Sequence, residues 1–187
     1  MGQDRLWYSF GITHPGSLTL NNYPDFLRNL SMPLIGDIDM AAIDVLRDRE
    51  RGVPRYNEFR RQIGLKPITS FEDLTSDPQL LADLKSLYNN DIEMIDTLVG
   101  QLAEETRPEG FGFGETSFQI FILNASRRLM TDRFFTTDYT DEVYTAGGID
   151  WVEDHTMVDV IRRHFPALAT SLVGMDNAFK PWGLNMP

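Results

Sequence analysis

Glycine and proline cut this chain into short segments whose apolar residues recur at helical spacing, which points to a mainly α fold with little or no sheet. The clearest segment starts at Asp77 and Pro78, a capping residue followed by a residue whose missing N–H costs nothing in a first helical turn. Leu80, Leu81, Leu84, Leu87 and Tyr88 then follow the i, i+3, i+4, i+7 pattern of one packed face, predicting a helix to about Tyr88. Asp37 as N-cap and Gly52 as stop predict a helix over Ile38 to Arg51. Pro54 and Gly64 frame another, and Ser70 with Asp73 resembles a capping box that opens a short helical turn.

Ile92 to Leu102 reads as mixed structure interrupted by Gly100, and Pro108 with three glycines makes Arg107 to Gly114 a loop. Beyond it Phe118, Phe121, Ile122, Ala125 and Leu129 share a helical face, with Ile120 and Leu123 on flanking faces, so Glu115 to Met130 is expected to be a largely buried helix. Thr136 to Gly148 is turn-rich, a helix runs from about Asp154 to His164 before Pro166, and Trp182 lies in an irregular tail. Residues 1–36, broken by Pro15, Gly16, Pro24, Pro33 and Gly36, are expected to be an extended, turn-rich opening stretch, and residues 37–187 the helical body. Neither an internal repeat nor a period-2 alternation argues for a sheet.

With 187 residues and 42% hydrophobic content the chain can bury one sizeable core. Its 28 acidic against 17 basic residues, a formal charge of −11, repel phosphate backbones, so no nucleic-acid partner is expected. No apolar run approaches the roughly 20 residues of a transmembrane segment, and the first residues lack the layout of a signal peptide. Met1 and Gly2 suggest myristoylation, but Leu6 stands where that motif needs Ser or Thr. The absence of cysteine excludes disulfides, thiolate metal sites and cysteine nucleophiles within this sequence. The sequons at Asn29 and Asn124 are not read as glycosylated, the second lying inside a helical stretch.

Asp44 sits within Met40 to Leu46, a segment apolar on almost every helical face, and a carboxylate there needs a partner. Helix geometry offers Arg47 at i+3; the alternative is that Asp44 accepts the free ring N–H of a metal-bound histidine. The run Arg47 to Arg51 alternates in sign and reads as a solvated helix end, with propionate or phosphate binding by one arginine as the other reading. His14, His155 and His164 form no HExxH, facial-triad or Ser-His-Asp pattern and read as surface or structural. Gly110, Gly112 and Gly114 alternate with Phe111 and Phe113, but no strand precedes them and no lysine follows, which excludes a phosphate loop.

The stretch from Asp44 to Arg61, DVLRDRERGVPRYNEFRR, resembles the segment of animal-type haem peroxidases that carries an Asn or Asp followed by R-x-R-x-x-G-x-P-x-Y-N-x-x-R. Arg47, Arg49, Gly52, Pro54, Tyr56, Asn57 and Arg60 match it. The likeness continues through Ser70 to Thr75, Leu87 and Tyr88, Ile95 and Asp96, Leu98 to Gly100, and SRRL before DRFF, covering about residues 37 to 135. The GFGFGET loop, DWVEDHTM and NAFKPW look closer to bacterial and fungal peroxidase-like proteins related to fatty-acid α-dioxygenases than to mammalian granule peroxidases.

This resemblance implies the C-terminal helical portion of the animal haem peroxidase fold. In that family the distal histidine, distal arginine and proximal histidine precede the matching segment, and the dioxygenase branch adds a radical-forming tyrosine near the proximal histidine. No catalytic or metal-ligating residue is therefore expected here. By position, Asp44 matches the residue that hydrogen-bonds the proximal histidine, and Arg47 an arginine at the haem periphery, whereas Tyr56, Asn57 and Arg60 are taken as structural. The expected cofactor is haem in the intact enzyme with none bound by this chain alone, and the expected partner is an upstream haem-bearing polypeptide, or further copies of the chain through exposed apolar surface. Two alternatives stand beside this: a haem-free helical lipid-binding or interaction protein derived from the fold, and a shortened haem protein using His14, His155 or His164 as axial ligand.

Overall fold

The computed structural model describes residues 2–14 and 16–183. Its helices are α1 (Gln3–Ile12), α2 (Asp25–Arg28), α3 (Met40–Glu50), α4 (Tyr56–Gln62), α5 (Pro78–Leu87), α6 (Thr97–Ala103), α7 (Glu115–Thr131), α8 (Asp141–Tyr144), α9 (Ala146–Asp154) and α10 (Met157–His164). Two three-residue strands, β1 (Leu30–Met32) and β2 (Gly36–Ile38), pair antiparallel with Ser31 opposite Asp37. The mainly α class holds, the helical share being 59%. Residues 1–36 are not uniformly extended, because α1 and α2 both lie within them.

The chain forms two compact units, one of residues 17–126 and one combining residues 1–16 with 127–187. In the unit of residues 17–126, Tyr56, Phe71, Leu74, Leu84, Ile95 and Ala103 form the core. Helix α5 begins as its sequence predicts: Asp77 accepts from the N–H groups of Gln79 and Leu80 at 2.8 and 3.1 Å, and Leu84 is its fully buried residue. The Ser70 and Asp73 capping box is present and opens a single 3₁₀ turn, Phe71–Asp73.

Helix α3 starts two residues later than expected. Asp37 is taken by the hairpin, where its Oδ1 accepts from the Ser31 hydroxyl at 2.5 Å, and Asp39 caps instead, accepting from Ala41 and Ala42 at 2.9 and 3.1 Å. The stop at Gly52 is real: its φ of +74° is a conformation that a side chain resists. Gly100 does not interrupt a helix but sits inside α6, where a Cβ would lie 2.4 Å from the Tyr56 ring, so glycine serves close approach there.

The other unit has an apolar core of Tyr8, Val158, Ile161, Leu168, Leu172 and Trp182. Trp182 is irregular in backbone yet buried; its N–H donates to the Gly11 carbonyl at 2.9 Å and its indole Nε1 to the Ala178 carbonyl at 2.8 Å. The helix expected over residues 154–164 breaks at His155, and α10 begins from a second capping box, Thr156 with Asp159. The turn-rich stretch 136–148 contains α8 and the start of α9.

Helix α7 departs most from expectation. Thr116 is its only fully buried residue, while Phe121, Ile122, Leu123, Leu129 and Met130 are all exposed. Phe118, Ile120 and Ala125 are half-buried, so its apolar face is formed but covered only in part.

Candidate functional site

Helix α3 carries the residues singled out by the sequence, and none of its eleven residues is fully buried. Asp44 is half-buried and does not pair with Arg47. Its Oδ2 accepts from the Tyr23 hydroxyl at 3.2 Å, long for an O–H···O bond, and Oδ1 has no hydrogen-bond partner among the described residues. Desolvation, followed by the charge of Asp44, the hydrogen bond to it and the charge of Asp39, holds the Tyr23 phenol above the usual tyrosine range. Arg47 is exposed, with no carboxylate within ion-pair distance among the described residues.

The C-terminal half of α3 is anchored. Arg49 donates through Nε and Nη2 to the two carboxylate oxygens of Asp96 at 2.8 and 2.6 Å, Arg55 also donates to Asp96, and the Tyr88 hydroxyl adds a bond at 2.9 Å. Burial acts to raise the carboxyl of Asp96, but hydrogen bonds from Arg49 and Tyr88 and the charges of Arg55 and Arg49 overcome it and hold it below the usual range. The Tyr88 phenol is pushed up to about 12 by burial and then by its bond to Asp96.

A second polar cluster is enclosed in the same unit. Glu104, 8% exposed, accepts from the hydroxyls of Tyr56 and Thr116, from the Thr116 N–H at 3.0 Å and from Arg60 at 3.3 Å. Arg60 also donates to Glu115 at 2.7 Å and to the Lys66 carbonyl at 2.8 Å. Asn57 exchanges two 3.0 Å bonds with the backbone of Ile68. Tyr56, Asn57 and Arg60 are thus internal braces, in keeping with a structural reading. A groove of about 410 Å³ lies alongside, with Leu20, Leu80, Leu102 and Arg107 in its wall. It contains none of the histidines.

His155 is engaged at both ring nitrogens, Nδ1 with the Trp151 carbonyl and Nε2 with Arg163, each at 2.8 Å, and its ring stacks on Trp151. His14 and His164 are exposed. Among the described residues no group of three or more His, Cys, Asp or Glu could hold a metal ion, and no helix is long and apolar enough to cross a membrane.

Residues 1–175 match the model of the animal haem peroxidase family, and the chain belongs to that family. Within it the chain is similar to α-dioxygenases. It is 46% identical to alpha-dioxygenase 2 of Arabidopsis thaliana over 190 aligned positions, covering 98% of this chain and 30% of the relative. The crystal structure of the fatty acid alpha-dioxygenase of Oryza sativa superposes with a TM-score of 0.87 at 45% identity, over 98% of this chain and 31% of that one. Peroxidase A of Dictyostelium discoideum superposes at 0.73 with 34% identity, over 87% of this chain and 31% of that one. The chain therefore spans about 30% of the length of the dioxygenases it matches.

Tested against the haem that the family name implies, the described histidines do not fit an axial ligand set: one is engaged at both nitrogens and two lie on the surface. What the residues do offer is Asp44, a carboxylate whose Oδ1 has no partner among the described residues. Tyr23 is the site residue that sequence reasoning missed. It lies 21 positions from Asp44, in a stretch whose prolines signal only turns.

Proposed function

We propose that this chain is the C-terminal part of the catalytic domain of a haem-dependent fatty-acid dioxygenase, working with an upstream haem-bearing polypeptide and inactive without it. The observation that carries this reading is Asp44, half-buried on a helix with no fully buried residue and held, among the described residues, by a single long bond that leaves Oδ1 open. Accepting the outward ring N–H of the proximal histidine would fix that imidazole's tautomer and orientation and make its other nitrogen a stronger donor. Arg47, exposed one turn along α3, would hold a propionate at the haem edge through charge-assisted hydrogen bonds. Haem, when bound, supplies the oxidising centre; this chain orients its ligand and closes the outer helical layer. The similarity to α-dioxygenases more than three times its length supports that division of labour.

The test is to combine the purified chain with the upstream polypeptide and haem, following the Soret band and fatty-acid-dependent oxygen uptake. Both signals should require the two polypeptides together, and Asp44→Ala should weaken them where Asp44→Asn partly restores them. Stoichiometric haem binding with turnover by the chain alone would overturn the reading. A chain that adds nothing to the upstream polypeptide would instead favour a haem-free lipid-binding or interaction role for its exposed Leu46, Phe121 and Met130. Without the upstream polypeptide those residues should drive self-association, which a monodisperse monomer at high concentration in light scattering would contradict.

A further inference from the structure

The bond between Tyr23 and Asp44 joins two separate pieces of the chain, and local helix geometry does not require it. Tyr23 stands one residue before Pro24, the N-cap of α2, and α2 packs on α3, so the phenol reaches the carboxylate from a neighbouring element. An ionised carboxylate accepts at two oxygens, each with two lone pairs. Here the phenol occupies Oδ2 and, among the described residues, nothing bonds to Oδ1.

We propose that Tyr23 is a positioning residue: it holds the Asp44 carboxylate by Oδ2 so that Oδ1 meets the imidazole N–H delivered by the upstream polypeptide. This rests on the role of Asp44 given above. The chemical consequence has a definite sign. A carboxylate that already accepts one hydrogen bond pulls less on a second proton, so the imidazole keeps more of its N–H and its metal-facing nitrogen stays closer to neutral imidazole. Removing the phenol frees the carboxylate to pull harder and moves the imidazole toward imidazolate. Removing the carboxylate does the opposite. The elevated phenol pKa is consistent with the bond, because desolvation and the adjacent negative charge both keep the proton on Tyr23.

The sign separates a tuning role from a merely structural one, since a loosened site would change in the same direction whichever partner is removed. The experiment has two arms. In the chain alone, urea unfolding of Tyr23→Phe, Asp44→Ala and the double variant should show that Tyr23→Phe lowers the midpoint in the parent but not in the Asp44→Ala background. In the complex with the upstream polypeptide and haem, Tyr23→Phe should raise the iron–histidine stretching frequency and lower the reduction potential, while Asp44→Ala should shift both the other way. Equal losses from Tyr23→Phe in both backgrounds, or a shift in the same direction as Asp44→Ala, would overturn the proposal for Tyr23 while leaving the role of Asp44 standing. An iron–histidine frequency unmoved by Asp44→Ala would remove the role of Asp44 and this proposal with it.

Discussion

The two compact units bury different things. The core of residues 17–126 encloses ionised and hydrogen-bonded groups: Glu104, Arg60, Asp96 and Asn57 are all buried, each with partners far along the chain. The other unit is held by an apolar cluster closed by one indole, Trp182 against Gly11, with its salt bridges on the surface. A buried ionic network demands specific geometry and adds little net stability over apolar packing, yet losing one member is costly because the rest stay buried and unpaired. An apolar cluster fails in proportion to the volume removed. The unit that carries α3 is thus the one whose interior fixes orientation.

Substitutions can sharpen or break that contrast. The largest effects are expected from Glu104→Ala, which strands Tyr56, Thr116 and part of Arg60, and from Trp182→Ala, each costing about 3–5 kcal/mol. Hydrogen exchange should show each loss confined to its own unit, and a loss spread evenly over the chain would erase the distinction. Asp96→Asn should cost less, about 1.5–3 kcal/mol at neutral pH, by weakening the bonds from Arg49 and Arg55. Because the folded carboxyl of Asp96 lies below its unfolded value of about 3.9, its contribution is fully present above that pH and is lost as pH falls through the folded value. The thermal midpoint of the parent should accordingly fall more steeply in acid than that of Asp96→Asn. Smallest of all, Arg47→Ala should change stability by no more than about 0.5 kcal/mol, since the side chain is exposed and without an ion-pair partner among the described residues; on the role proposed for it, the same change would weaken haem binding with the upstream polypeptide present.

What could be read in advance was mostly what neighbouring residues decide. Asp77 with Pro78, the Ser70 and Asp73 box and the stop at Gly52 are local hydrogen-bonding and steric facts, and all three appear. Thr156 with Asp159 carries the same signal and marks the start of α10, although the helical run around it hides the break at His155. The misses need knowledge of what arrives from elsewhere. Asp37 can cap a helix, but a hairpin partner claims it. Gly100 resembles an interruption until Tyr56 is seen against it, and Glu104 carries no local signal of the cluster that Tyr56, Arg60 and Thr116 close over it. Helix α7 has the periodicity of a buried helix, but periodicity reports that a face is apolar and says nothing about what covers it. Asp44 stood out because a lone carboxylate in an apolar run is costly, and Tyr23 did not because a tyrosine beside a proline costs nothing.

Helix α3 is fixed at its ends, by the Asp39 cap at one and by the grip of Arg49 on Asp96 at the other, with no fully buried residue between. Changes at outward positions such as Leu46 should therefore scarcely register in the chain's own folding. Variation at those positions among family members would instead record the shape of whatever surface lies against them, so that two polypeptides co-evolving across this helix would leave their history there and not in the core.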